Sequence, residues 1–135
     1  WLANREPGET VGISGPYGNQ YYEGESRVVV IAAGPGIGPA VGIGEAVLAR
    51  NGHIAIIYPV EAEVHRDRIE AIREAGGHVI RSPHELGGAI QEAMTEVGGT
   101  FFVYGFNSFV EDAESAIRAE GYDPDEAKIE RFGPG

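Results

Sequence analysis

The chain has 135 residues, enough for one domain with a real core. Its formal net charge is −11, with one lysine (Lys128) against nine arginines, which argues against nucleic acid and anionic membrane as partners. It has no cysteine, so a disulfide framework, a thiolate metal site and a cysteine nucleophile are excluded. No apolar run approaches the ~20 residues that cross a bilayer, and no signal-like segment opens the chain, so a cytoplasmic location without membrane insertion is expected. The chain starts at Trp1 instead of methionine, and an upstream part is expected. Its acidic balance suits a salt-rich cytosol as well as an ordinary acidic domain.

Residues 9–15 (ETVGISG) read as a short strand, 15–18 (GPYG) as a turn and 20–26 as a polar loop. Residues 27–33 (RVVVIAA) form a first strand, followed by the glycine turn GPGIGP and a helix over 39–50, stopped by Asn51 and Gly52. His53–Tyr58 (HIAIIY) is the second strand. Residues 61–75 form a helix with Val64, Ile69 and Ile72 inward, closed by Gly76 and Gly77. His78–Arg81 is a short third strand. Ser82 and Glu85 have capping-box spacing with Pro83 at the first helical position, opening a helix that runs to about Val97. Thr100–Gly105 (TFFVYG) is the fourth strand. Ser108 and Glu111 repeat the capping-box spacing, and that helix ends near Gly121. Residues 127–130 make a short last strand.

Near-continuous apolar strands separated by helices predict an α/β fold: a mostly parallel five-stranded sheet covered on both faces, doubly wound and Rossmann-like. In the order 3-2-1-4-5 the ligand crevice lies between strands one and four, at their carboxyl ends. Its lips are residues 33–38 and 104–107. Gly42 and Gly44 fall inside the first helix at a cost of roughly 1 kcal/mol each relative to alanine, which predicts close packing of helix on sheet.

Glycines at a strand–helix turn let the backbone approach a ligand, and the free N–H groups of the helix that follows favour an anion. A dinucleotide pyrophosphate is commonly held in this way. The spacing here is GxGxGP, not GxGxxG, so the residues alone leave a merely tight turn equally open.

Several segments together resemble the pyridine-nucleotide-binding domain of the ferredoxin–NADP reductase-like flavoproteins. AAGPGIGPAVGI resembles the family's GGTGIAP loop, YGFNSFV its CGP-containing strand end, and IERFGPG its closing E-R-F-G segment. ISGPYG resembles the turn between flavin and nucleotide domains, and WLANREPGETV the flavin-domain tail before it. The resemblance implies that residues 1–26 are a flavin-domain tail and turn, and that 27–135 are the nucleotide domain. It implies that Gly34, Pro35, Gly36, Ile37, Gly38 and Pro39 lie against the nucleotide, with Gly105 and Phe106 beside the nicotinamide. Tyr104, Glu130 and Phe132 then stand where nicotinamide and flavin meet, and Tyr17 at the domain interface. The chain departs from the family pattern at Tyr104 (often cysteine), Phe106 (proline) and Pro35 (threonine). The flavin-binding barrel is not in this sequence, so FAD or FMN is expected only with an upstream domain.

Plainer readings stand beside these. Tyr104 is either a gate at the nicotinamide pocket or a core aromatic. Phe132 packs either on its own domain or on a flavin domain. Glu61 either binds ribose hydroxyls, favouring NADH over NADPH, or is an exposed acid of the helix's first turn. Arg81 either meets a 2′-phosphate or is a surface arginine. The four histidines (His53, His65, His78, His84) show no metal-ligand spacing and read as structural or exposed, so no metal is expected. Ser14 lacks the strand–turn–helix of a nucleophile elbow. Two functions remain open. The first is part of an oxidoreductase that presents NAD(P)H to a flavin, with the electron acceptor unknown. The second is a non-catalytic nucleotide-binding or regulatory module. Gly36→Val is expected to abolish nucleotide binding while leaving the fold intact.

Overall fold

A computed structural model describes residues 22–59, 65–82 and 85–132. Tyr17, Glu61, Val64, Pro83 and His84, with the readings placed on them, lie outside these residues, as does most of the 1–26 segment. Five strands carry the fold: β1 (Arg27–Ala32), β2 (His53–Tyr58), β3 (His78–Arg81), β4 (Thr100–Gly105) and β5 (Lys128–Arg131). Four helices alternate with them: α1 (Ile37–Ala49), α2 (Arg66–Glu74), α3 (Gly87–Glu96) and α4 (Asn107–Ala119). The sheet order is β3-β2-β1-β4-β5, and every adjacent pair runs parallel. Among the described residues no helix is long and apolar enough to cross a membrane.

Successive side chains of a strand point to opposite faces, so an unbroken apolar strand feeds two cores. Val28, Val30, Ala32, Ile54, Ile56, Phe102 and Tyr104 pack under α1 and α2, through Val41, Val47, Ile69 and Ile72 among others. Val29, Ile31, Ala55, Ile57, Phe101 and Val103 pack under α3 and α4, through Ile90, Val110 and Ile117 among others. This double burial is why the strands were legible as apolar runs and not as alternating ones. At the β5 edge, Lys128 Nζ lies 2.7 Å from Glu23 and 2.6 Å from Glu25. The chain entering β1 is thereby tied to the last strand.

The helix starts differ from the sequence reading. Helix α3 begins at Gly87, not at Pro83, and its N-cap is Leu86 with no side-chain cap. Ser82 directs its hydroxyl to the Glu85 carbonyl (2.6 Å), so that group stabilises the preceding loop and not the helix N-terminus. Helix α4 begins at Asn107 with Phe106 as an extended N-cap, and Ser108 lies already inside the helix, where it cannot cap. Helix α1 starts at Ile37 after a 3-10 turn over Gly34–Gly36, which places Gly38 and Pro39 in its first turn. Proline is tolerated there because its missing N–H would have no intrahelical partner. The last strand is shifted by one residue, to Lys128–Arg131.

The two glycines of α1 part company. A Cβ on Gly44 would lie 3.0 Å from Ile72 Cδ1 and 3.1 Å from Ile56 Cδ1, so close packing of α1 on its neighbours requires glycine. A Cβ on Gly42 would meet no described atom within 4 Å, and the packing reason fails there. Gly42→Ala is therefore expected to stabilise the protein by about 1 kcal/mol, because alanine loses less backbone entropy in a helix. Thermal unfolding should show a Tm higher by a few degrees.

Candidate functional site

The crevice between β1 and β4 is built from two strand ends that touch. Ala32 is register partner to Tyr104, and just past it the Ala33 N–H donates to the Tyr104 carbonyl (3.1 Å). Gly34 has φ +58°, a left-handed conformation that glycine adopts freely. A Cβ there would stand 3.5 Å from the Phe106 ring, so the lips meet at Gly34 and Phe106. Phe106 is 40% exposed, and Gly34 and Pro35 are exposed beside it. Gly36 and Ile37 are buried and face the core, and Gly38 and Pro39 are half-buried at the start of α1.

The turn glycines do different work. A Cβ on Gly36 would lie 2.5 Å from the Tyr104 carbonyl oxygen and 2.6 Å from its Cβ, against fixed backbone. Gly36 is thus the seam between turn and β4, which corrects the expectation that valine there would leave the fold intact. A Cβ on Gly38 would find only the end of the His65 ring, with Nε2 at 3.4 Å. At Gly105 a Cβ would lie 2.8 Å from Phe109 Cδ2, so packing of Phe109 alone accounts for that glycine.

Tyr104 is not a gate at the mouth. Its ring is 1% exposed and sits in the core beneath α1, 6.4 Å from the Phe102 ring. Side chains of neighbouring parallel strands share a face, and β4 turns this one inward with Phe102. Glu130 is the register partner of Tyr104 on β5 and is 4% exposed. The Tyr104 hydroxyl and Glu130 Oε2 are both buried without a hydrogen-bond partner among the described residues. Burial pushes the Tyr104 phenol above its ordinary range, and the nearby Glu130 and Glu25 carboxylates push it further. Burial alone raises the Glu130 carboxyl. Phe132 follows, its N–H donating to the Gly105 carbonyl (3.0 Å), with its ring packed against the same core.

The structure therefore brings Gly34 and Phe106 together at the crevice lip, with Pro35 exposed beside them and Gly38 and Pro39 in the first turn of α1. Gly36, Ile37 and Tyr104 lie in the wall behind it, and Glu130 and Phe132 on the adjoining edge. Arg81 is exposed at the end of β3. A cavity of about 460 Å³ lies apart from the glycine turn, between the start of α3 and α4, lined by Glu85, Leu86, Phe109, Asp112 and Glu120 and reaching Pro59 and Ser82 past β2 and β3. In the sequence His65 reads as structural or exposed; the structure places it at the start of α2, with its ring reaching the start of α1. The available signal was that these two helices follow adjacent strands and share one face. Among the described residues no group of three or more histidines or acids is placed to hold a metal ion.

Fold and opening together define an open, doubly wound α/β domain whose glycine turn stands at the point where the winding reverses. The same fold occurs in the flavohem-like FAD/NAD-binding domain of nitric oxide dioxygenase from Vibrio cholerae O1 biovar El Tor, at 22% identity and a TM-score of 0.69 over 87% of this chain. It occurs in the cytochrome reductase GcoB of Amycolatopsis, at 21% identity and a TM-score of 0.69 over 89% of this chain. Flavohemoglobin from Malassezia yamatoensis matches at 16% identity and a TM-score of 0.63 over 84% of this chain. This chain spans 56%, 43% and 33% of those chains, respectively. At such identities the likeness establishes the fold. No protein-family model matches the sequence, and the search of curated proteins returns no match.

Proposed function

We propose that this chain is the pyridine-nucleotide-binding part of a flavin-dependent oxidoreductase, with residues 27–135 as the nucleotide domain and residues 1–26 leading in from a flavin domain. The observation that carries the reading is the glycine turn at the end of β1, opening against Phe106 at the end of β4. It is supported by the domains of like fold, one of which is named as binding FAD and NAD. The residues fit a dinucleotide. Gly34 and Gly38 leave space that a side chain would fill, and the positive end of the α1 dipole suits a pyrophosphate. When bound, the dinucleotide supplies a hydride from nicotinamide C4 to N5 of a flavin held by the upstream domain. The chain's own part is to orient the nucleotide and exclude water. Phe106 closes the opening over Gly34, and Phe132 and Glu130 form the edge facing a flavin domain.

NADH is the preferred form in this reading. Glu61 follows β2 in the chain, and a carboxylate there would repel a 2′-phosphate. Calorimetric titration of the chain should show NADH binding more tightly than NADPH. Gly38→Val should weaken NADH at least tenfold, about 1.4 kcal/mol, with an unchanged circular dichroism spectrum. Equal NADH affinity in the two proteins would remove the turn from the site.

A further inference from the structure

We infer that His65 is a nucleotide-binding residue, its imidazole donating a hydrogen bond to the pyrophosphate of the dinucleotide on the adenosine side. This rests on the function proposed above. His65 Nε2 stands 3.4 Å, and Cε1 3.6 Å, from the position a Gly38 Cβ would take, so the ring lies over the first turn of α1. No side chain of α1 itself supplies a hydrogen-bond donor there, since its first turn reads Ile37, Gly38, Pro39, Ala40. His65 is half-buried at the N-cap of α2, makes no capping bond and has no hydrogen-bond partner among the described residues. Its ring nitrogens are therefore available to a ligand at the head of α1, where the helix dipole favours an anion.

The position of the ring is set by rigid elements. Arg68 on α2 grips Glu45 on α1 with two hydrogen bonds, Nε to Oε2 at 2.9 Å and Nη2 to Oε1 at 2.7 Å. One helix turn further on, Ile72 of α2 packs into the space Gly44 leaves on α1. These two ties hold α2 against α1, and His65 at the head of α2 is held over Gly38 in consequence. In a doubly wound sheet the pyrophosphate sits at the head of α1 and the adenosine ribose is read past the end of β2. His65 follows β2 in the chain and lies between the two places. It is thus on the adenosine half of the ligand, away from Phe106.

The test is calorimetric titration of the full chain and of His65→Ala and His65→Gln with NADH, ADP-ribose and adenosine. His65→Ala should weaken NADH and ADP-ribose by about the same factor, roughly tenfold, and leave adenosine unchanged because it has no phosphate. His65→Gln keeps a donor and should recover most of the loss, which a merely space-filling ring would not predict. NADH and ADP-ribose affinities unchanged in His65→Ala, with binding by the unsubstituted chain intact, overturn the role of His65 alone. Absence of binding by the unsubstituted chain overturns the nucleotide-binding reading and this inference together. The thermal midpoints of all three proteins should agree, since the ring makes no hydrogen bond that the fold needs.

Discussion

Gly36→Val is expected to unfold the domain, not simply to block its ligand. A Cβ at this position would lie 2.5 Å from the Tyr104 carbonyl oxygen, 2.6 Å from Tyr104 Cβ and 2.8 Å from the Tyr104 carbonyl carbon. None of these atoms is the end of a flexible side chain. Tyr104 is paired to β1 and to β5, and its carbonyl already accepts from the Ala33 N–H, so β4 cannot retreat without breaking ladder bonds on both sides. Overpacking against fixed backbone costs upward of about 3 kcal/mol, a large share of the ~5–15 kcal/mol that stabilises a domain. Even Gly36→Ala carries the offending atom. Urea denaturation should show a midpoint far below that of the unsubstituted chain, or no folded baseline at all. A variant with an unchanged midpoint and lost nucleotide binding would return Gly36 to the ligand. Gly38→Val is the contrasting variant, because its Cβ meets only the tip of the His65 ring.

Glu130→Gln is expected to stabilise the protein at neutral pH, and not at pH 4. Glu130 is 4% exposed, and its Oε2 has no partner among the described residues. Burial without a partner disfavours the charged form, which raises this carboxyl above its ordinary 4.5. A raised folded-state value means that the folded chain holds this proton more tightly than the unfolded chain. The stabilisation is therefore full below the ordinary value and is lost as the pH rises through the raised one. Glutamine keeps the shape and carries no charge, so the substituted protein should escape that loss. Denaturant titrations of both proteins from pH 4 to pH 8 would show two curves that meet at low pH and diverge above it. Parallel curves would mean that the carboxylate is solvated or paired when charged. Glu130 is the register partner of Tyr104, and neither the Tyr104 hydroxyl nor Glu130 Oε2 has a hydrogen-bond partner among the described residues; the flavin-domain edge proposed above would include this pair.

Much of the architecture was already present in the amino-acid order. The runs VVVIA, HIAIIY and TFFVYG are apolar without alternation, and only strands buried on both faces permit that. Glycines after β1 and at the end of β4 fall at the crevice of a sheet ordered β3-β2-β1-β4-β5, an order that the sequence reading holds only as a condition and that the fold shows. The approach of Gly34 and Phe106 at the ends of β1 and β4 follows from the same order. Helix starts were not. The serines at positions 82 and 108 carry the local pattern of a cap, but where a helix begins depends on which residues the sheet buries. Ala89, Ile90 and Val110 settled that through tertiary packing. The roles of the individual glycines could not be read either. Glycine has no side chain whose character reports its surroundings, so only the atoms across the chain decide. Tyr104 backbone lies over Gly36, the His65 ring over Gly38 and Ile72 over Gly44, while no described atom lies near Gly42. The side on which the Tyr104 ring falls, and the approach of His65 to a turn some thirty residues earlier, are likewise products of the folded sheet. Both depend on contacts between segments distant in sequence, and a periodic pattern along one segment carries no record of them.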